Sequence, residues 1–216
     1  MSRSLRKLSF FFKQLGLSKN VEPPYNHACQ IGDPVLRQPA RIVEPELIKT
    51  KEFQFLINHM VKTMRLYEAC GLSAPQIGVP MQIFTAELSE THFRLAGPTR
   101  QKAQGLEVIP LKIFINPTLK VVDHGLMQFV EGCVSTVGLE AEVPRYKEVL
   151  ITGLNADGEI HEWHAKNWAA RIAQHELDHL NGVLFTDKMD PTTLSLTAWQ
   201  EVNLRRGNLQ LSFHPI

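Results

Sequence analysis

Apolar and polar residues recur along the chain with two different periods, and each period predicts one kind of element. Residues 52–69 repeat apolar side chains at helical spacing, which predicts an amphipathic helix that Gly71 closes. The predicted buried side of this helix consists of Phe53, Leu56, Ile57, Met60, Met64 and Tyr67. Alternation of apolar and polar residues predicts strands at positions 81–88, 112–116, 125–130 and 148–154.

A turn and a second helix follow these strands. Residues 155–158 predict a hairpin turn into a further strand over residues 159–163. Residues 168–180 contain neither Gly nor Pro, Asn167 is a suitable N-cap, and Gly182 suits a C-terminal stop. The inward stripe of this predicted helix is formed by Trp168, Ile172, His175 and His179. Strands around one helix predict an α+β fold with mostly antiparallel sheets.

The second helix carries the pattern His-Glu-x-x-His. His175 and His179 are one helical turn apart, so both imidazoles can bind one metal ion. Glu176 lies beside them, where a carboxylate can move a proton to or from a water molecule. The alternative is a pair of core histidines held by hydrogen bonds, and a third ligand would decide between the two interpretations.

A catalytic metal site usually has three protein ligands and one open position, so we looked for a third ligand. The downstream candidates are Asp187, Asp190, Glu201 and His214. None of them sits in the extended metzincin spacing, which needs a glycine and a third histidine soon after His179. Upstream, Cys133 follows Gly132 and could present a thiolate, which suits a borderline or soft divalent metal. Taken alone, Cys133 is better interpreted as a small buried apolar residue.

Taken together, these motifs resemble those of the peptide deformylase family. Three family motifs occur in order at residues 71–78 (GLSAPQIG), 131–135 (EGCVS) and 174–179 (QHELDH). Residues 32–37 (GDPVLR) resemble the opening segment of the family, and the similarity extends over about residues 27–190. The resemblance implies an α+β fold. It also implies a hydrolase that removes the formyl group from the N-terminal formyl-methionine of newly made polypeptides and releases formate.

The resemblance also implies a role for each site residue. The implied ligands of one divalent metal are Cys133, His175 and His179. The family prefers Fe(II), and zinc, cobalt or nickel can replace it. Glu176 would accept a proton from water and return it to the leaving amine. The side chain of Gln76 and the backbone N–H of Val134 would stabilise the oxyanion that develops on the formyl group.

A peptide substrate is expected to lie extended beside strand-like segments. By resemblance, the edges of this groove are Gly71 and residues Val130, Glu131 and Gly132. Trp168 and Ile172 share the helix face of His175 and are candidate walls of the methionine pocket. Arg145 is a candidate partner for Glu131.

Some positions near the groove depart from the family pattern. Ala69 stands where the first motif usually has a glycine, and Pro75 stands where bacterial members often have Thr. Residues 88–110 resemble an insertion relative to compact bacterial members. The departures leave the metal ligands and the glutamate unchanged, so peptide preference is less predictable than the chemistry.

Charge is distributed unevenly along the 216 residues. The formal net charge is +1, yet residues 1–20 contain five basic residues and no acidic residue. A basic, acid-free segment that can form an amphipathic helix is typical of an organelle transit peptide. We therefore predict an organellar, mitochondrial-type deformylase imported into the matrix, with a plastid as the less favoured organelle. Three cysteines suit a reducing compartment rather than a disulfide scaffold.

The predicted order is a transit peptide at 1–20, one catalytic domain at 21–190 and a C-terminal extension at 191–216. A helix and a tail are predicted for this extension, which could join a dimer, so a monomer and a homodimer both stay open. The expected partners are N-formyl-methionyl nascent peptides, with a transient ribosome contact left open. No nucleic-acid partner is expected, because the basic segment would be removed, and no apolar run reaches membrane-spanning length.

Other functions remain alternatives at this point. An HExxH-type metalloprotease would use His175 and His179 with a downstream acid as the third ligand. A non-catalytic, peptide-binding descendant would be expected to have lost Glu176 or Gln76, and the sequence retains both. An acyl hydrolase with Cys133 as its nucleophile is a third alternative.

Overall fold

The computed structural model describes residues 22–215, in which helices cover a six-stranded sheet. The predicted transit peptide at residues 1–20 lies outside the described residues. The strands are β1 Gly71–Ser73, β2 Ile83–Leu88, β3 Ile109–Gly132, β4 Leu139–Leu154, β5 Ile160–Lys166 and β6 Ser195–Leu196. The α-helices are α1 Pro45–Ile48, α2 Lys51–Leu66, α3 Glu90–Gln104, α4 Asn167–Leu180 and α5 Trp199–Leu204. Short 3₁₀ helices span Pro34–Arg37, Ala74–Ile77, Phe185–Asp187 and Pro191–Thr193.

The sheet has the strand order β1-β2-β3-β4-β5, with β6 paired to β4. Each of these pairings is antiparallel, so the predicted α+β fold with antiparallel sheet is confirmed. The strands predicted at 112–116 and 125–130 are parts of one long strand, β3. Register shifts against β4 occur between Ile115 and Thr118 and again between Val121 and Leu126. These irregularities interrupt the alternation, which is why the sequence pattern divided β3 in two.

Helix α2 begins where predicted but ends earlier. The Thr50 hydroxyl accepts a hydrogen bond from the Phe53 N–H and caps the helix, and the apolar stripe up to Met64 is buried. Glu68, with φ of 51°, follows the end of the helix and turns the chain away. The prediction that Gly71 closes this helix is therefore wrong, because Gly71 starts β1.

Helix α4, which carries both histidines, packs across β4, β1, β5, β2 and β3. Its alanines Ala169, Ala170 and Ala173 are buried, so the helix backbone can approach the sheet closely. The N-cap is Lys166 rather than Asn167, which has φ of 52° as the first residue of α4. Gly182 terminates the helix as predicted, with φ of 73°.

The predicted insertion at 88–110 contains α3, whose helical geometry is broken at Gly97 before Pro98. Ser89 caps this helix by accepting a hydrogen bond from the His92 N–H. The C-terminal extension contains β6 and the short helix α5, followed by a segment without regular structure. Among residues 22–215, no helix is long and apolar enough to cross a membrane.

Candidate active site

Two distant parts of the chain bring the three predicted metal ligands to one place. Cys133 directly follows β3, while His175 and His179 lie one turn apart on α4. A ligand atom of each residue lies within 4.8 Å of those of the other two. The Cys133 sulfur is 3.2 Å from Nε2 of His179, and the two imidazole centroids are 5.0 Å apart. One sulfur and two nitrogen donors therefore converge on a single point.

The downstream ligand candidates do not belong to this group of ligand atoms. Asp187 pairs with Arg37 at 2.5 Å, and Asp190 accepts hydrogen bonds from Thr192. Glu201 pairs with Arg205 within α5. His214 lies near Tyr67, with 6.0 Å between ring centroids. These contacts leave Cys133 as the ligand candidate that meets the two histidines.

A buried network of charges lies behind the histidines. Both carboxylate oxygens of Glu131 accept hydrogen bonds from Arg145, at 2.9 Å each. Oε2 of Glu131 is also 3.0 Å from Nδ1 of His175, so this contact turns Nε2 of the ring towards the other ligands. Burial raises the pKa of Glu131, but hydrogen bonds from Arg145 and His175 outweigh burial and hold the pKa well below its usual range.

Three further residues, Asp178, Lys188 and Arg171, complete this network. Arg145 donates from Nη1 to Asp178 at 2.5 Å, and Lys188 reaches the other oxygen of Asp178 at 2.6 Å. Arg171 is 2% exposed and donates from Nη1 to Glu131 at 2.6 Å. Since Arg171 and Asp178 belong to α4 and Glu131 to β3, the network fixes the helix against the strand that precedes Cys133.

Glu176 is held on the opposite side of the histidines by β1. The Ser73 hydroxyl donates to Oε2 of Glu176 at 2.6 Å. A Cβ atom at Gly71 would lie 2.3 Å from Oε1 of Glu176, so only glycine leaves room for this carboxylate. Burial is the main cause that raises the pKa of Glu176, to about 7. A carboxyl with such a pKa can take up and release a proton near neutral pH.

Gln76 is oriented by the turn that follows β1. Its Oε1 accepts a hydrogen bond from the Ser73 N–H at 2.8 Å, which forms a capping box with Ser73. This bond directs the amide nitrogen outward, 3.3 Å from the Cys133 sulfur and 3.2 Å from the Ser135 hydroxyl. The side chain is 1% exposed and reaches the cavity in front of the ligands.

The cavity in front of the ligands has a volume of about 1100 Å³. The predicted groove and pocket residues that line it are Gly71, Val130, Glu131, Gly132, Val134, Trp168 and Ile172. Gly71 at the start of β1 and Gly132 at the end of β3 thus line one cleft. The carbonyl of Val134 accepts a hydrogen bond from Gln30 at 2.8 Å, which fixes the peptide beside Cys133. The cleft has the form of a groove between two strand ends.

Known proteins are similar to this chain in sequence and in fold. Residues 26–195 match the family model described as polypeptide deformylase. The chain belongs to the peptide deformylase family. It is 47% identical over 182 residues to human "Peptide deformylase, mitochondrial", which covers 84% of this chain and 75% of that protein. It is 43% identical over 176 residues to Arabidopsis thaliana "Peptide deformylase 1A, chloroplastic/mitochondrial", covering 82% of this chain and 65% of that protein.

A solved structure of a peptide deformylase from Thermotoga maritima has a TM-score of 0.63 and 30% sequence identity. The match covers 77% of this chain and 99% of that one. The predictions of a deformylase and of a mitochondrial-type member are therefore confirmed. This deformylase belongs to a metal-dependent family that acts on nascent formyl-peptides, and its described residues include a Cys/His group able to hold a metal.

The pKa values of the two histidines in this deformylase are shifted in opposite directions. Burial lowers the pKa of His175, but contacts with Cys133 and Glu131 outweigh burial and raise the pKa well above its usual value. Burial and the neighbouring His175 lower the pKa of His179 well below its usual value. A divalent cation bound by these ligands would displace a proton from them.

The sequence alone assigns no role to some residues of this site. Ser73, Arg171 and Asp178 fall within or beside the recognised motifs, but the motifs alone do not show what these side chains contact. Ser73 has a readable signal, because Ser73 and Gln76 have the Ser-x-x-Gln spacing of a capping box. Arg171 and Asp178 become functional only through contacts with β3 and β4, which helix periodicity cannot reveal.

Proposed function

We propose that this deformylase binds one divalent metal through Cys133, His175 and His179 and uses it to hydrolyse N-formyl-methionyl peptides. The observation that carries the proposal is the convergence of the three ligand atoms within 4.8 Å of one another. One thiolate and two imidazoles suit Fe(II), the ion we propose, and also zinc, cobalt or nickel. When bound, such an ion lowers the pKa of a water ligand to about 7 and supplies a nucleophile at neutral pH.

Glu176 acts as the proton carrier in this proposal. Water adds its oxygen to the formyl carbon, and the carboxylate of Glu176 accepts the proton that water loses. Glu176 then delivers this proton to the amine nitrogen as the C–N bond breaks, so the products are formate and a free N-terminus. Ser73 holds one carboxylate oxygen at 2.6 Å, and the space at Gly71 leaves the other free to reach the proton.

Gln76 and Val134 stabilise the negative charge that develops on the formyl oxygen. The amide nitrogen of Gln76 is held beside Cys133, and the Val134 backbone follows Cys133 directly. Donors fixed in advance lose no reorganisation energy when charge develops, and one such donor typically contributes about 3 kcal/mol to the transition state.

The peptide backbone lies extended between Gly71 on β1 and residues Val130, Glu131 and Gly132 on β3. Val130 is 46% exposed, so its backbone edge is accessible to a peptide strand. Trp168 and Ile172 form walls of the methionine pocket. Main-chain recognition suits an enzyme that acts on nascent chains of many sequences.

The proposal includes the predicted domain order and compartment. Residues 1–20 direct the chain to the mitochondrial matrix, residues 21–190 form the catalytic domain, and residues 191–216 extend it. The proposal also includes a transient contact with the ribosome. Solution measurements can test this contact and can distinguish a monomer from a homodimer.

Formate release from formyl-Met-Ala by the full chain, loaded with Fe(II) or Co(II) without oxygen, tests the function. We expect formate in proportion to bound metal, and loss of both in Cys133→Ser. A metalloprotease would cleave internal peptide bonds and keep its metal in Cys133→Ser. A Cys133 nucleophile would remain active after chelation and fail on alkylation. A peptide-binding descendant would release no formate at all.

A further inference from the structure

The C-terminal segment of the chain crosses the mouth of the substrate groove. Ser212, Phe213, His214 and Pro215 line the same cavity as Gly71, Gly132 and His175. The match to the family model ends at residue 195, before this segment. We propose that residues 208–215, here called the strap, cover the outer groove and determine which formyl-peptides gain access. This inference rests on the proposed binding of peptides in that groove.

The strap contacts both sides of the cleft. On one side, the Tyr67 hydroxyl donates a hydrogen bond to the carbonyl of Phe213 at 2.9 Å. Tyr67 ends α2, four residues before Gly71. On the other side, Cδ1 of Leu211 lies 3.1 Å from where a Cβ on Gly138 would be, and Gly138 joins β3 to β4. Leu211 and Phe213 are two residues apart, so their Cα atoms are at most about 7 Å apart.

The strap is attached weakly enough to be displaced. Leu211 and Phe213 are 40% and 55% exposed. Within the described part of the chain, the hydrogen bond from Tyr67 is the one that joins the strap to the groove. The others that the strap makes from Leu209 onward stay within it or reach Gly207. Residues 208–215 belong to no strand or helix among residues 22–215, so the strap can swing out without unfolding one.

The strap should affect long substrates more than short ones. A formylated dipeptide needs the inner cleft, whereas a longer peptide must continue outward through the space that residues 211–215 cover. One hydrogen bond, the ring contact of His214 with Tyr67 and a small apolar contact favour the closed strap by about five- to tenfold. Removal of the strap strengthens long-peptide binding by that factor.

The test compares the full chain with a variant that ends at Gly207. The two substrates are formyl-Met-Ala and a formyl-Met octapeptide of small neutral residues. Formate release is measured for each. We expect the shortened protein to have a KM for the octapeptide about fivefold lower, with kcat unchanged and less than a twofold change for formyl-Met-Ala. A synthetic peptide of residues 208–215 should inhibit the shortened protein competitively.

Leu211→Ser keeps the chain length and provides a second test should the shortened protein fold poorly. Leu211→Ser should also lower the KM for the octapeptide. The matched control is Leu204→Ser, because Leu204 is 79% exposed on α5 and lies outside the strap. An octapeptide KM that is unchanged or raised in Leu211→Ser and in the folded shortened protein would overturn the proposal, since the strap would then be a passive wall or an aid to binding.

Binding of the deformylated octapeptide, measured by calorimetry, tests this inference independently of the proposed chemistry. The measurement needs no turnover, so it reports the strap even if the full chain releases no formate. Tighter binding to the shortened protein than to the full chain supports the strap, and equal or weaker binding contradicts it. Absence of formate from both formyl-peptides would instead contradict the proposed function.

Discussion

The inner and outer ends of the groove are stabilised by different kinds of contact. At the inner end, Glu131, Arg145 and Arg171 are each at most 6% exposed and are joined by several charged hydrogen bonds. At the outer end, the exposed strap is joined to the groove by one hydrogen bond from Tyr67. The inner end carries the proposed metal ligands and the proposed proton carrier, whereas the outer end is the part that we propose a substrate chain passes.

This difference indicates which end of the groove must be rigid. A buried charge that loses its partner is strongly destabilising, so the inner network keeps a single arrangement in which His175 points at Cys133. An exposed contact contributes little and can be exchanged for substrate contacts. Catalytic geometry and substrate access are thus assigned to separate parts of one cleft.

Arg145→Met should have the largest effect, because it leaves Glu131 and Asp178 buried without this partner. We expect the free energy of unfolding to fall by about 3 to 5 kcal/mol, measured by urea denaturation. The matched control is Arg205→Met, which removes an exposed pair with Glu201 and should cost less than about 1 kcal/mol. Equal losses in the two variants would remove the distinction between buried and exposed pairs.

Glu176→Gln should lower kcat by about a thousandfold, because the amide cannot accept a proton from water. Metal content should stay at the wild-type level, since Glu176 is outside the proposed ligand set. Formate release and metal analysis on the same sample check both statements. A kcat within tenfold of the wild-type value would exclude Glu176 as the proton carrier.

Gly71→Ala tests how closely β1 fits the carboxylate. The added Cβ would lie 2.3 Å from Oε1 of Glu176, so the carboxylate or β1 must shift. We expect kcat to fall about ten- to a hundredfold with metal retained. Gly125→Ala is the control, because its Cβ would meet only the side chains of Asp123 and Lys147, at 3.1 Å. Similar kcat values in the two variants would contradict the tight fit.

The pH dependence of stability gives the smallest of these effects. The pKa of Glu176 is raised to about 7 in the folded, metal-free protein, above its value in the unfolded chain. Its contribution to stability is therefore complete below about pH 4.5 and is lost as the pH rises towards 7.

Glu176→Gln should accordingly raise the unfolding free energy of the metal-free protein by about 1 to 3 kcal/mol at pH 8. Near pH 4.5 the removal of this carboxyl should bring no gain. Thermal unfolding in a chelator at both pH values measures the difference. A gain of the same size at both pH values would point to packing rather than titration.

Much of the inner end could be predicted from the sequence, because its chemistry lies in short motifs with fixed spacing. Helical periodicity places His175 and His179 on one face, and the resemblance supports Cys133 as the third ligand. Arg145 was a candidate partner of Glu131, and the structure pairs the two. The contacts of Arg171 and Asp178 could not be predicted, since they depend on how α4 crosses β3 and β4.

The outer end could hardly be predicted at all. A helix followed by a tail was expected after residue 191, and the structure has β6, a six-residue helix and the strap. Nothing in residues 208–215 has a period or a motif, and their position depends on tertiary contacts with Tyr67 and Gly138. The end of α2 was misplaced for a related reason, because Glu68 takes a positive φ that sequence propensity disfavours.

X-ray absorption spectroscopy of the zinc-loaded full chain tests the central claim most directly. The account predicts one sulfur neighbour at about 2.3 Å and two imidazole nitrogens at about 2.0 to 2.1 Å. In Cys133→Ser the sulfur signal should disappear. A spectrum of the wild-type protein with only nitrogen and oxygen neighbours would contradict the assignment of Cys133, His175 and His179 as one ligand set.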